Sequence, residues 1–369
     1  MTDEKNVAGT VERVDPVVHT HIGGQAVIEG VMMRGKYNWA VAVRTPNGGI
    51  HCEAHDLKTA PHRRPWLAKP IVRGVVALYD TVSLAMKAIG ISASHAGETE
   101  EEQLSDREVG FVMVFGVLLA IGLFIVLPYI ATNLLVGRLQ DQPFKWNLVD
   151  GILRLLVLFA YIWLISRMKD VKRLFAYHGA EHKTIHAYEH HVPLEAPSVQ
   201  QFGTAHVRCG TSFLLMVMVV ALVVYLFVPL RLILSSLGVT NQIAMTVLTL
   251  VIRISLLPVI AGIAYEVIRY AGKHENTGLV KVLLWPGMQL QRMTTSEPED
   301  SMVEIAIAAV KPIIAREEAE AAGTYVEDMS LGCGNGEEAE GVAAGDAAAA
   351  AVAQRVADER DDIVGVIDA

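Results

Sequence analysis

The chain is 369 residues long, with 52% hydrophobic residues, 19% charged residues and a net charge of −9, and its mean hydropathy is positive at +0.36. That length would allow two ordinary soluble domains, but so apolar a balance points to membrane insertion rather than to a large soluble core. The negative charge, much of it in the carboxyl terminus, offers no basic footprint for nucleic acid, and the polar opening residues lack the apolar run of a signal peptide.

Residues 1–21 read as a flexible amino terminus, and residues 22–60 as a small β-rich unit. Its short β-prone runs, Ala26 to Met32, Trp39 to Arg44 and Ile50 to Ala54, flank a Pro46-Asn47-Gly48-Gly49 turn, which is a hairpin signal. Glu29 and Arg34 flank a strand with alternating faces. They can be read as a salt-bridged sheet edge, or Glu29 can be read as a base, anchor or ligand that meets a site elsewhere.

In residues 70–92, Ile71, Val75, Leu78, Val82, Ala85 and Ile89 recur at helical spacing beside Arg73, Asp80 and Lys87. The pattern predicts an amphipathic helix on the bilayer surface or against a helix bundle, ahead of the alternative of a fifth span. The acidic run Glu98 to Glu102 reads as a solvated linker. Four stretches, about residues 111–136, 148–166, 212–236 and 243–265, are long and apolar enough to cross roughly 30 Å of hydrocarbon. They define a four-helix transmembrane region, 111–265, interrupted by a polar segment at 167–211. Asp150 and Arg154 lie one turn apart in the second stretch, and Arg253 lies within the fourth. Local pairing with snorkelling explains them, and so does a polar seam through the bundle.

Arg167, Lys169, Lys172, Arg173, Lys183 and Arg208 crowd the connection between the second and third stretches, while the others hold only Arg138, Lys145 and Arg231. The positive-inside rule then places this connection and both termini in the cytoplasm. After the last stretch, residues 266–322 form a cytoplasmic segment in which Leu279 to Met293 and Glu299 to Ala315 both read as able to dock on the β-rich unit. Residues 323–369, acidic and alanine-rich, are expected to be disordered. Cys52, Cys209 and Cys333 are too few and scattered for a disulfide framework, and reduced thiols are expected.

The chemistry concentrates in Tyr177 to His191, which carries five histidines. On a helix, His178, His182 and Glu189 fall within roughly 40° of one another, with Glu181 and His186 flanking them. His178-Gly179-Ala180-Glu181-His182 has the H-x-x-E-H order of inverted zincins, in which two imidazoles one turn apart hold zinc and the glutamate is the general base. Glu189, His186, His206 or Cys209 would supply the remaining ligands. The His-x3-His repeats also resemble the histidine boxes of membrane desaturases, but those boxes are separated by spans and need a further His-His pair. A third reading makes the imidazoles interfacial caps and phosphate contacts, a description that suits His190 and His191 beside Pro193.

Five segments carry a closer resemblance: Gly23 to Gly35 (GGQAVIEGVMMRG), Tyr177 to Lys183 (YHGAEHK), Arg208 to Phe213 (RCGTSF), Tyr265 to Arg269 (YEVIR) and Pro286 to Gln291 (PGMQLQ). Together they resemble the YqhQ-like family of bacterial membrane proteins, held to be metal-dependent enzymes of unknown substrate. The resemblance covers about residues 20–312 and implies a metal site at His178, His182 and Cys209. The resulting expectation is an α-helical polytopic protein of the bacterial plasma membrane, with about four transmembrane helices and a small amino-terminal cytoplasmic β-rich unit. A divalent metal, zinc by its ligand types, would be held by His178 and His182 with Cys209, Glu189 or His206 completing the shell, and Glu181 would act as base on a protein or lipid substrate. A non-catalytic scaffold, insertion or metal-handling factor pinned by the same ion is the competing expectation, and a homo-oligomer is compatible with either.

Overall fold

The computed structural model describes residues 20–57, 65–96, 106–137, 142–206, 209–273, 277–324 and 333. The expectations for residues 1–19, for the Glu98 to Glu102 linker and for the tail beyond 324, Cys333 apart, fall outside the described residues.

Four antiparallel strands, β1 (Gly23–Val27), β2 (Gly30–Arg34), β3 (Asn38–Arg44) and β4 (Ile50–Asp56), form a meander in that order. The run expected as one strand, Ala26 to Met32, is cut at Ile28-Glu29. Glu29 takes φ 51° there, the left-handed backbone that a two-residue hairpin demands. The following Gly30 has no room for a side chain, since a Cβ would lie 2.3 Å from the Ala42 carbonyl oxygen. At the other end, Gly48 takes φ 82° in the expected turn between β3 and β4.

The strands are apolar on both faces because both are covered. One face, through Val31, Met33, Ala40 and Ala42, packs against two helices, while Val27, Met32, Trp39, Val41 and Val43 on the other meet Leu84 and Ala88 of a third.

The helices in chain order are α1 (Val72–His95), α2 (Asp106–Ile121), which runs through one π turn (Gly122–Val126) into α3 (Leu127–Val136), and α4 (Pro143–Ile165). They continue as α5 (Lys169–Glu189), the short α6 (Ala196–Val199), α7 (Gly210–Phe227), α8 (Leu230–Ser236), α9 (Gln242–Lys273), α10 (Gly278–Thr294) and α11 (Asp300–Ala321). Among the described residues, five helical stretches are long and apolar enough to cross a membrane: Val72–His95, Gly110–Val136, Pro143–Ile165, Gly210–Ser236 and Gln242–Ala271. The last four correspond to the expected spans. The first, α1, adds a fifth candidate by length and composition to the four expected, and its contacts are those of a helix held at both ends. Arg73 pairs bidentately with Glu266 of α9, and Gly74 abuts Gly262. At the far end Ser92 donates to the Ile28 carbonyl at 2.6 Å, and the His95 ring stacks on His51 with centroids 3.9 Å apart. Its apolar character follows from having partners on two sides, the sheet and α9.

Within the bundle, α4, α7 and α9 pack closely. Gly151 leaves Leu222 no space for an opposing Cβ, and Tyr225 and Ile260 close the far end of the core. Of the two readings of Asp150, the polar seam is realised: its Oδ2 accepts from Arg154 Nε at 3.1 Å and from Arg253 Nη1 at 2.6 Å, all three side chains being buried.

Only one of the two carboxy-terminal helices docks on the sheet. α11 lies along β2 and β3, where Asn38 Nδ2 donates to the Pro312 carbonyl at 3.0 Å and Arg44 Nη2 to the Ser301 carbonyl at 2.7 Å. α10 packs on α7 and α4 instead, because its apolar residues, with Leu290 fully buried, complete the bundle core. The cysteine expectation is also corrected. Cys52 of β4 is joined to Cys333 as a disulfide across 281 residues, while Cys209 is free. Nothing local announces a pairing made by the return of the chain past α11.

α5 is covered on nearly all sides and is pressed against the strand-like segment after α10. A Cβ at Gly179 would lie 2.1 Å from the Ser296 carbonyl oxygen, and Ser296 N donates to the Phe175 carbonyl at 2.9 Å. Gly179→Ala should therefore lower stability by about 3 kcal/mol, the upper range for overpacking against backbone that cannot withdraw. Chemical unfolding of the purified variant beside wild type would measure it.

Candidate metal centre

α5 carries the histidine segment as one helix, so residues one turn apart share a face. His178 and His182 point toward the loop that leads into α7. Each ring is fixed through Nδ1: His178 to the Thr294 carbonyl at 2.8 Å and His182 to the Thr204 carbonyl at 2.6 Å. With Nδ1–H donating, each Nε2 is directed inward. This carbonyl-to-imidazole arrangement is the usual way ligand histidines are oriented.

Cys209 meets them from the opposite side as the residue that caps α7, its sulfur accepting from Thr211 N at 3.5 Å. His178 Nε2 lies 3.1 Å from the sulfur. Burial would push the Cys209 thiol up, but the His178 hydrogen bond and the charge of the two imidazoles bring it down to about 4. For His178, burial opposes protonation and the sulfur outweighs it, raising the ring to about 9. The sulfur and the ring thus favour one another's charged forms.

One ligand atom from each of His178, His182 and Cys209 can be chosen so that all lie within 4.8 Å of one another. The residues fit a divalent ion on a further count: His182 Nε2 is buried with no hydrogen-bond partner among the described residues. A buried, unfilled imidazole lone pair beside a thiolate is costly unless something occupies it. Two imidazoles and a thiolate form a common zinc set.

Glu181 lies behind this group. It is 4% exposed and rests on Gly24, where a Cβ would come 2.7 Å from its Cγ. No hydrogen bond reaches its carboxylate among the described residues. Burial raises its pKa, and His182, His178 and His206 pull the other way without reversing the shift.

Glu189 and His206, expected in the same shell, do not join it. They form a second group with His186, again with ligand atoms within 4.8 Å. The reason is axial: His182 and Glu189 project to the same side of α5, but seven residues of rise separate them by about 10 Å, beyond the reach of one ion. Glu189 Oε1 accepts from Thr20 N at 3.2 Å and Thr20 Oγ1 at 3.1 Å, and its Oε2 lies 3.4 Å from His206 Nε2. His186 Nε2 donates to the Ala205 carbonyl at 2.8 Å, and burial depresses its pKa to about 4. The two groups adjoin, with the His182 and His206 rings 5.7 Å apart. His190 caps a carbonyl as expected, its Nδ1 donating to the His186 carbonyl at 2.7 Å, whereas His191 turns the chain at φ 54°.

Sequence reasoning missed the groups that hold the loop in place. Gln291, fully buried in α10, grips the His206 backbone twice, accepting from its N–H at 2.8 Å and donating to its carbonyl at 2.9 Å. Its position in an apolar run was the available signal. Lys183, 3% exposed, is neutralised by Glu297 at 2.6 Å and donates to the carbonyl and to Oε1 of Gln200, each at 3.1 Å. Both ties draw the segments around α5 together.

Glu29 serves as an anchor rather than a ligand. It pairs bidentately with Arg173 of α5 and accepts from Tyr177 Oη at 3.1 Å, one residue before His178. Burial would raise the Glu29 carboxyl, but Arg173 holds it below its ordinary 4.5. A depressed carboxyl stabilises above its unfolded pKa and loses that contribution as pH falls through the folded value. The tie is therefore complete at neutral pH and fades below pH 4.5. Glu29→Gln should flatten the acid limb of the stability curve between pH 5 and 3 by up to about 1 kcal/mol, given its partial exposure. Thermal unfolding across that range would show it.

A family described as a protein of unknown function, DUF1385, matches residues 69–316. The uncharacterized protein YqhQ of Bacillus subtilis (strain 168) is 32% identical over 306 residues, covering 79% of this chain and 92% of that protein. No solved structure matches. The family match takes in the histidine helix, Cys209, Gln291 and the apolar helices, and the relative extends over most of both chains. On these grounds the chain belongs to the YqhQ-like DUF1385 family of proteins of unknown function.

Proposed function

We propose that this protein is a metal-dependent hydrolase of the bacterial plasma membrane, with the histidine face toward the cytoplasm and a peptide or lipid ester as substrate. One observation carries the reading: His178 Nε2, an unfilled His182 Nε2 and the Cys209 sulfur converge beside a buried, unbonded Glu181. A zinc ion held by His178, His182 and Cys209 would supply Lewis acidity toward a carbonyl while leaving a fourth position open. The chain's own part falls to Glu181. Its carboxylate stands next to both imidazoles, and burial raises its proton affinity toward the range in which a general base works. It takes the proton of the attacking water and returns it to the departing alkoxide or amine. The Thr294 and Thr204 carbonyls hold the two rings in register during this transfer.

A non-catalytic reading is favoured by the depth of the site. His182 is 1% and Glu181 4% exposed, and the ligands join α5, the start of α7 and the end of α10. In that case the ion would fasten these helices and Glu181 would orient a ligand. Zinc-loaded protein in lipid nanodiscs, offered chromogenic esters and quenched peptides, separates the two. The hydrolase predicts that Glu181→Gln keeps its zinc and loses turnover by about 10²–10⁴-fold. Turnover that survives Glu181→Gln but not His182→Ala would remove Glu181 as the base. Tightly held zinc without turnover on any substrate would favour the fastening role.

A further inference from the structure

Far from the histidines, the bundle encloses a charged cluster whose charges do not balance. Arg154 and Arg253 share the single carboxylate of Asp150, and the three side chains are 4%, 2% and 1% exposed. No other carboxylate pairs with either arginine among the described residues. One positive charge is therefore in excess inside helices apolar enough to span a membrane. A buried lysine could shed its proton, but a guanidinium cannot. An uncompensated buried ion is strongly unfavourable.

The surrounding groups soften this charge without removing it. Asn147 Oδ1 accepts from Arg253 Nη2 at 3.0 Å. The rings of Tyr225, Trp146 and Tyr129 lie 4.7, 5.3 and 5.5 Å from Arg253 Cζ, where their faces attract the cation. Yet among the described residues three buried donors, Arg253 Nε, Arg154 Nη2 and Trp146 Nε1, have no acceptor, and Asp150 Oδ1 is an unfilled acceptor beside them. Donors and positive charge are both in surplus.

A small cleft reaches this cluster, lined by Trp146, Asn147, Thr249 and Arg253 with Arg231 beside them, and it takes little more than one water-sized group. It lies against Pro229 and Leu230, beyond the end of α7, whereas Cys209 caps that helix's start. Eighteen residues of helix separate the two places by about 27 Å, so the cleft belongs to the opposite face of the bundle.

We infer that this cluster is an anion-binding site, filled by a singly charged acceptor group small enough for the cleft. Chloride from solution and the phosphate of a phospholipid headgroup both have that chemistry. The inference is independent of the metal centre and of any hydrolase activity.

The test is thermal unfolding of the full chain in neutral detergent. Sodium chloride is titrated against sodium gluconate at constant ionic strength, and separately phosphatidylglycerol against phosphatidylcholine. Wild type should gain about 5–10 °C, saturably, with one of the small-anion sources. A gain with chloride identifies the free ion, and a gain with phosphatidylglycerol alone identifies the lipid phosphate. Asn147→Asp places a carboxylate beside Arg253 Nη2 and supplies the missing charge from within, so its midpoint should no longer depend on either source. Arg154→Met removes the excess charge instead and should be equally indifferent, which covers the case in which the first variant does not fold. A wild-type midpoint that is flat in every titration, or a dependence undiminished in a folded variant of either kind, would overturn the site.

Discussion

Substituting His182 by alanine, or Cys209 by serine, is expected to strip the purified protein of its zinc, with affinity falling by more than 100-fold. Loss of a group that merely orients a ligand costs about 10–100-fold, and these two side chains supply the ligand atoms themselves. His182 is the more telling of the pair, because its Nε2 has no other partner among the described residues and its ring is already fixed by Thr204. His186→Ala is the internal control. It belongs to the neighbouring group with Glu189 and His206, so zinc held by the first group should survive it. Elemental analysis of the detergent-purified variants reads all three directly. Equal zinc in wild type and in both ligand variants would defeat the assignment, as would loss of zinc from His186→Ala alone.

Asp150→Asn is expected to be the most destabilising single change in the bundle, at about 3–5 kcal/mol. The substitution is nearly isosteric, so its cost is electrostatic. It leaves Arg154 and Arg253 without a carboxylate at the place where both now converge on one oxygen. A double variant, Asp150→Asn with Arg253→Met, removes the more tightly paired cation as well and should recover a good part of the loss. Unfolding in mixed detergent, compared across the single and double variants, measures the coupling. A single variant within about 0.5 kcal/mol of wild type would mean that water or lipid already screens these charges.

The two expectations differ in how far they could be read without a fold. His178, His182 and Glu181 were legible because helical spacing fixes their relation within α5, and Cys209 because its position at the head of an apolar stretch brings it to the same end of the bundle. Glu189 was misplaced because a helical projection records angle and discards rise, and His206 because its spacing to Cys209 does not say which group of histidines it meets. The strands were legible as apolar runs, but not the break at Ile28-Glu29, since a non-glycine residue at φ 51° carries no compositional mark. α1 was legible as an amphipathic helix on the bilayer or against the bundle, and its packing on α9 realises the second; that its other side meets the sheet is a property of the assembled chain. The Asp150 seam was one of two open readings, because local charge spacing does not reveal which helix supplies the next partner.

By itself, then, the sequence determined the local terms: which segments are apolar over a membrane's thickness, where the hairpin turns, and which metal-binding side chains share a helical face. Each depends on residues within a few turns of one another. The tertiary structure decided every relation between distant segments: the meeting of Cys209 with His178 and His182, the grip of Gln291 on the histidine loop, the tie of Glu29 to Arg173, the Cys52–Cys333 bridge and the sharing of Asp150 by two arginines. Such contacts form only after packing has fixed the approach of one backbone to another. In this chain that approach is set at Gly24, Gly74, Gly151 and Gly179, where no side chain stands between the elements.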